Sequence, residues 1–149
     1  MDLFDMFFSF PGYPALFLLS FLAATVLPLG SEWMLVLMIV KGFSPTYCVL
    51  IATAGNYFGA CTTYLIGWWG SEYVPRRILR MNDRQVERAK GHYEKYGSWS
   101  LLFSWVPIIG DPLCLVAGIF RVHFVRFSVL VFSGKFARYA LLAGVCGFV

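Results

Sequence analysis

Apolar residues fill four stretches of the chain, and a polar stretch divides them into two pairs. Residues 13–40 are apolar except at Glu32 and a few hydroxyls, and Pro28 and Gly30 interrupt them midway. Proline removes a backbone donor and clashes with the preceding turn, and glycine loosens a helix further. The pattern predicts a helix, a break and a half-helix. Lys41-Gly42-Phe43-Ser44-Pro45 reads as a turn. From Tyr47 to Trp69 there is no charge over 23 residues, enough to span a bilayer with some tilt, so a transmembrane helix is predicted over 46–69. Within it Gly55, Gly59, Thr63 and Gly67 recur every fourth residue on one face. Small residues so spaced let another helix approach closely, which makes Gly55, Gly59 and Gly67 packing positions.

Residues 72–97 are polar. From Asp83 to Tyr96 the apolar positions Val86, Ala89, Tyr93 and Tyr96 fall at helical spacing. An amphipathic helix lying on the membrane surface is expected. Residues 98–120 are apolar again, interrupted between Pro107 and Pro112, with Gly110 inside the break. Arg121, His123 and Arg126 follow, and 127–149 reads as a second transmembrane helix.

Charge decides the topology. Arg76, Arg77, Arg80, Arg84, Arg88, Lys90 and Lys95 supply most of the basic side chains, and basic loops face the cytoplasm. If 98–120 crossed the membrane, Arg121 and Arg126 would face the other side. A re-entrant hairpin at 98–120 keeps both groups cytoplasmic. By the same logic 13–40 is a re-entrant hairpin entering from the outer face. The expected fold is thus an all-α integral membrane protein. Two oppositely oriented re-entrant hairpins are each followed by a transmembrane helix, with the basic 72–97 segment on the cytoplasmic side between them. This is an inverted repeat within one membrane domain, 1–149.

Composition agrees. The chain has 149 residues, of which 59% are hydrophobic and 13% charged, against about 25% charged for a soluble domain. Its first charges are Asp2 and Asp5, unlike a secretory signal. Cys48, Cys61, Cys114 and Cys146 are scattered without zinc-ligand or redox spacing. No Ser-His-Asp order, P-loop or metal cluster is present, so no enzyme, cofactor or metal is expected. The basic segment serves topology or contacts anionic head groups; nucleic acid is not an expected partner.

Glu32 and Asp111 stand beside the two helix breaks, inside apolar surroundings. A carboxylate at that depth is costly unless paired, hydrated or protonated. Lys135 and Arg138 share a face of the last helix, amid Phe132, Phe136, Tyr139 and Leu141. The four charges cancel if all are ionised. They are either fixed salt bridges or a site at which an acid changes protonation. Helix starts near Ser31 and Pro112 favour an anionic group, and Lys135 and Arg138 can hold a phosphate.

The run Ser104-Trp105-Val106-Pro107-Ile108-Ile109-Gly110-Asp111-Pro112-Leu113-Cys114-Leu115-Val116-Ala117-Gly118, with Arg121 and then Gly134-Lys135-x-x-Arg138-Tyr139, resembles the DedA family of SNARE-associated or VTT-domain membrane proteins. Leu27-Pro28-x-Gly30-Ser31-Glu32 and Gly55-Asn56 with Gly59 look like its short YqaA-like bacterial branch. The resemblance covers nearly the whole chain. It implies facing re-entrant hairpins in the bacterial inner membrane. It also implies flipping of polyprenyl phosphate carriers or phospholipids, driven by the proton motive force. The family's charged membrane residues map onto Glu32, Asp111, Arg121 and Arg138. Asp111 departs from the usual pattern, in which an arginine follows the second Pro-Gly shortly; its neutralisation by Lys135 or Arg138 is the expectation here.

The sequence thus predicts a small proton-coupled flippase for an anionic lipid or lipid-linked phosphate. Glu32 and Asp111 are its protonatable groups, and Lys135, Arg138 and Arg121 bind the anion or pair the acids. The alternative is a non-transporting protein that organises lipids or partner proteins through structural salt bridges. Thin cover over the broken helices predicts a homo-oligomer.

Overall fold

The computed structural model describes residues 12–24, 31–78, 80, 82–106 and 109–147. Its regular secondary structure among these residues is entirely helical. Helices α1 (Tyr13–Ala23), α2 (Ser31–Val40) and α3 (Pro45–Trp69) form the first run. A π-helical turn at Val74–Ile78 and the polar helix α4 (Asp83–Lys95) follow. A 3-10 stretch (Gly97–Trp105), α5 (Gly110–Ile119) and α6 (Phe124–Gly147) complete the chain. The chain divides into two compact units. The first holds residues through Gly59 together with Lys135–Val149; the second holds Ala60–Gly134.

Among the described residues two helices are long and apolar enough to cross a membrane, α3 with 25 residues and α6 with 24. At 1.5 Å per residue each rises roughly 36 Å, more than the hydrocarbon thickness of about 30 Å. The last helix begins at Phe124, three residues before the start read from the sequence, which puts Arg126 in its first turn. Hydrophobic residues surround α1, α2 and α5 on all sides, as burial in protein and lipid requires.

Helices α2 and α5 end alike. At α2 the Phe43 N–H reaches the Met38 carbonyl and the Gly42 N–H reaches that of Ile39, both at 3.0 Å. At α5 the Val122 and Arg121 N–H groups reach the carbonyls of Ala117 and Gly118, again at 3.0 Å. Each is a Schellman motif, closed by a left-handed residue: Gly42 at φ 93° and Arg121 at φ 53°. Each turn leads straight into a long helix. The spacing from Ser31 to Pro45 equals that from Gly110 to Phe124. In that register Glu32 corresponds in sequence to Asp111, Gly42 to Arg121, Gly55 to Gly134 and Asn56 to Lys135.

In the first unit Leu16, Leu35, Met38, Cys48, Val49, Ala52 and Tyr139 form the buried core. Helix α1 lies against the glycine face of α3. A Cβ at Gly55 would stand 2.5 Å from the Phe17 carbonyl oxygen, and one at Gly59 2.6 Å from that of Phe21. In the second unit α5 crosses the end of the same face. A Cβ on Gly67 would meet the Leu115 carbonyl oxygen at 2.3 Å, and one on Gly118 that of Tyr64 at 2.1 Å. Tyr64 stacks near Phe127 at 4.4 Å and its hydroxyl donates to the Val122 carbonyl at 2.5 Å. This bond ties α3 to the α5–α6 turn.

Polar local chemistry shapes the remainder of the second unit. Asn82 and Gln85 form a reciprocal capping box that starts α4. Residues 97–105 wind as 3-10 helix, where the sequence suggested the apolar arm of a hairpin. Ser98 Oγ donates to the Glu94 carbonyl at 3.0 Å and Ser100 Oγ to that of Gly97. Serine hydroxyls that take backbone carbonyls in this way compete with the α-helical ladder.

Candidate functional site

The first unit gathers polar groups from three helices. Helix α2 brings Ser31 and Glu32 in its first turn, α3 brings Asn56, and α6 brings Lys135, Arg138 and Tyr139. The last three stand at i, i+3 and i+4, so one face of α6 presents them together. Lys135 Nζ donates to Asn56 Oδ1. The same amide donates through Nδ2 to Tyr139 Oη at 3.1 Å. Tyr139 Oη and Ser31 Oγ share a hydrogen bond of 2.7 Å. Asn56 is therefore the joint of the chain, accepting from an ammonium and donating to a phenol.

Beside this chain, Arg138 and Glu32 form an ion pair. The Arg138 guanidinium also lies 5.9 Å from the centre of the Tyr139 ring. Burial grades across the site. Lys135 is 3% exposed and Tyr139 0%, whereas the Arg138 and Glu32 side chains are 14% and 31% exposed. Desolvating an ammonium costs several kcal/mol unless polar groups replace its water. Asn56 Oδ1 supplies part of that replacement. Glu32 in the first turn of α2 also meets the positive end of the helix dipole.

The second unit holds the remaining sequence candidates. Asp111 occupies in α5 the position that Glu32 occupies in α2, and its Oδ1 is buried. Gly110, before it, packs its Cα against the chain at Ser104, where a Cβ would lie 2.2 Å from the carbonyl oxygen. Pro112 sits in the first turn of α5, where its missing N–H breaks no helical bond. Arg121 is held from several sides. Its Nε donates to Ser71 Oγ at 2.8 Å, its guanidinium lies 5.1 Å from the Trp68 ring centre, and a terminal nitrogen lies 3.9 Å from Glu72 Oε1. Pro28, Gly30 and Pro107, read as helix breaks, lie outside the described residues.

Arg138 pairs with Glu32, and Lys135 donates to Asn56. Ser31, Asn56 and Tyr139 were not singled out from sequence as site residues. Asn56 is a carboxamide inside an uncharged span, and Tyr139 follows Lys135 by four residues. Those two features were the available signal.

The VTT domain family model matches residues 10–147. The chain belongs to the VTT-domain (DedA) family. Its similarity to the inner membrane protein YqaA of Escherichia coli K12 is 41% identity over 130 residues, 87% of each chain. An uncharacterized protein of Haemophilus influenzae is 38% identical over 155 residues, covering 95% of this chain and 94% of its own. An archaeal relative from Methanocaldococcus jannaschii, also uncharacterized, is 27% identical over 133 residues, 88% of this chain and 81% of its own. No solved structure matches the chain. This VTT-domain protein is a multi-pass protein of the bacterial inner membrane, and its family is one of membrane proteins implicated in lipid handling.

Proposed function

We propose that this VTT-domain protein is a small proton-coupled flippase that moves an anionic lipid or lipid-linked phosphate across the membrane. The observation that carries this reading is the partly exposed Glu32–Arg138 ion pair, set beside the buried hydrogen bond from Lys135 to Asn56. Lys135 donates to Asn56, while Glu32 occupies Arg138. A proton on Glu32 would release Arg138, whose planar fork of donors matches a phosphate better than any other side chain. The phosphate would then replace the carboxylate as partner of the guanidinium. Loss of that proton on the other side of the membrane would restore the Glu32–Arg138 pair and expel the anion. Asp111, in the corresponding register of α5, is proposed to carry the same exchange for the second half of the cycle. The breaks before α2 and α5 are proposed to be the turning points of two re-entrant hairpins in an inverted repeat, with the basic 72–97 segment cytoplasmic and the protein homo-oligomeric.

The test uses Glu32→Gln and Lys135→Met in proteoliposomes, with unfolding measured in parallel. The expected result is folded protein with at least tenfold slower lipid movement in both variants. Full movement by both would overturn the reading.

A second reading rests on the closed hydrogen-bond chain from Ser31 to Lys135, which suits a static brace. In that case the protein organises lipids or partners without transport. The swap Glu32→Arg with Arg138→Glu would then keep function, whereas a cycling carboxylate tolerates no such exchange.

A further inference from the structure

The second unit contains a groove of about 890 Å³ that the proposed transport cycle does not use. It is lined by the end of α4 (Glu94, Lys95), the start of the 3-10 stretch (Ser98, Trp99) and the first turns of α6. Its polarity changes along α6. His123 and Arg126 come first, and Val129 and Leu130 follow about one turn later, roughly 5 Å further along the helix. Trp99, Val125 and Val129 are 65%, 61% and 59% exposed, so the apolar wall is open to the surroundings.

Neither cation of the groove is neutralised by a carboxylate among the described residues. Arg126 Nη1 donates to the backbone carbonyl of Glu94 at 2.9 Å, which fixes the guanidinium and leaves further donors for an incoming group. Lys95 lies with its Nζ 5.4 Å from the Tyr96 ring centre. Among the described residues neither Lys95 nor Arg126 pairs with a carboxylate, although the Glu94 side chain also borders the groove. Two cations and a histidine outnumber that one acid. A groove lined by cationic donors together with exposed tryptophan and valines fits an amphiphile bearing a negative head and an apolar tail.

We infer that this groove binds one anionic phospholipid, with Lys95 and Arg126 on the phosphate and Trp99, Val125 and Val129 along the acyl chain. The lipid is a bound partner of the second unit. Its binding is read without any lipid movement, so it can succeed or fail independently of the flippase proposal.

The experiment is native mass spectrometry of the full chain released from detergent micelles containing phosphatidylglycerol or phosphatidylcholine. The variants are Lys95→Ala/Arg126→Ala, Trp99→Ala, and a control of equal charge change, Arg84→Ala/Arg88→Ala, on the same helix α4 outside the groove. Wild type is expected to retain one phosphatidylglycerol in preference to phosphatidylcholine. The Lys95/Arg126 variant should bind it about thirtyfold more weakly, from two lost basic contacts at a membrane surface. Trp99→Ala should also weaken it, and the control should behave as wild type. Equal loss in the control would reduce the effect to bulk charge and overturn the site. Unchanged retention by the Lys95/Arg126 variant, or equal retention of phosphatidylcholine by wild type, would overturn it as well. A native charge-state distribution in each variant separates loss of the site from misfolding.

Discussion

Replacing Tyr139 by Phe removes one oxygen atom and leaves the ring volume in place. That oxygen is fully buried and serves two partners, Ser31 at 2.7 Å and Asn56 at 3.1 Å. In water-soluble proteins each such bond contributes about 1 kcal/mol, and a stranded buried partner costs about 1–3 kcal/mol. Between membrane helices the measured contribution is smaller, on average about 0.6 and at most about 1.7 kcal/mol per bond. Two bonds therefore place Tyr139→Phe about 1–3 kcal/mol below wild type. The loss should fall mainly on Asn56. Its Nδ2 donates to the phenol, whereas Ser31 opens α2 and its hydroxyl can turn to an N–H of the first turn. Reversible unfolding in bicelles, run as a double-mutant cycle of Tyr139→Phe with Asn56→Ala and with Ser31→Ala, measures this. A larger coupling for Asn56 than for Ser31 is expected. A destabilisation under about 0.3 kcal/mol, or fully additive cycles, would refute the chain of bonds from Ser31 to Lys135.

Further outcomes follow from backbone geometry. Gly118→Ala would place a Cβ 2.1 Å from the Tyr64 carbonyl oxygen and 3.0 Å from the Trp68 nitrogen, so the backbones themselves must part; a loss of about 1–3 kcal/mol is expected in thermal unfolding. Gly91→Ala on α4 meets nothing within 4 Å and should stabilise by up to about 1 kcal/mol through helix propensity. Arg121 is left-handed at φ 53°, so Arg121→Gly should be more stable than Arg121→Ala by about 1 kcal/mol, since both lose the Ser71 and Trp68 contacts and only alanine keeps the backbone strain. Equal melting of the two Arg121 variants would contradict the Schellman geometry at the end of α5.

Much of the helical frame is readable from residue type. An uncharged run with a four-residue glycine repeat announces α3, because small residues on one face have little other use in a membrane helix. Gly42 marks the end of α2 by its freedom at positive φ. Arg121 gives no such sign, since an arginine at that position is held by Ser71, Glu72 and Trp68 rather than by its own preference. The 3-10 stretch at Gly97–Trp105 is equally hidden, because its cause is local serine bonding within an apolar pattern. At the site, Glu32, Lys135 and Arg138 are conspicuous as charges in apolar surroundings. Their pairing is not legible, because four charges that sum to zero admit several arrangements and only the helix positions choose among them. Asn56 and Tyr139 are neutral, and in a sequence they resemble packing residues. Their role emerges only when the amide is seen to join the ammonium to the phenol.

The central claim, coupled lipid movement, is tested most directly in proteoliposomes containing fluorescent phospholipid or polyprenyl phosphate, with and without an imposed pH gradient. Wild type and Asp111→Asn would be compared at matched insertion. The account predicts movement of an anionic lipid that rises with the gradient in wild type and loses that dependence in the variant. No movement of either lipid by folded, inserted wild type, or movement indifferent to the gradient, would contradict it.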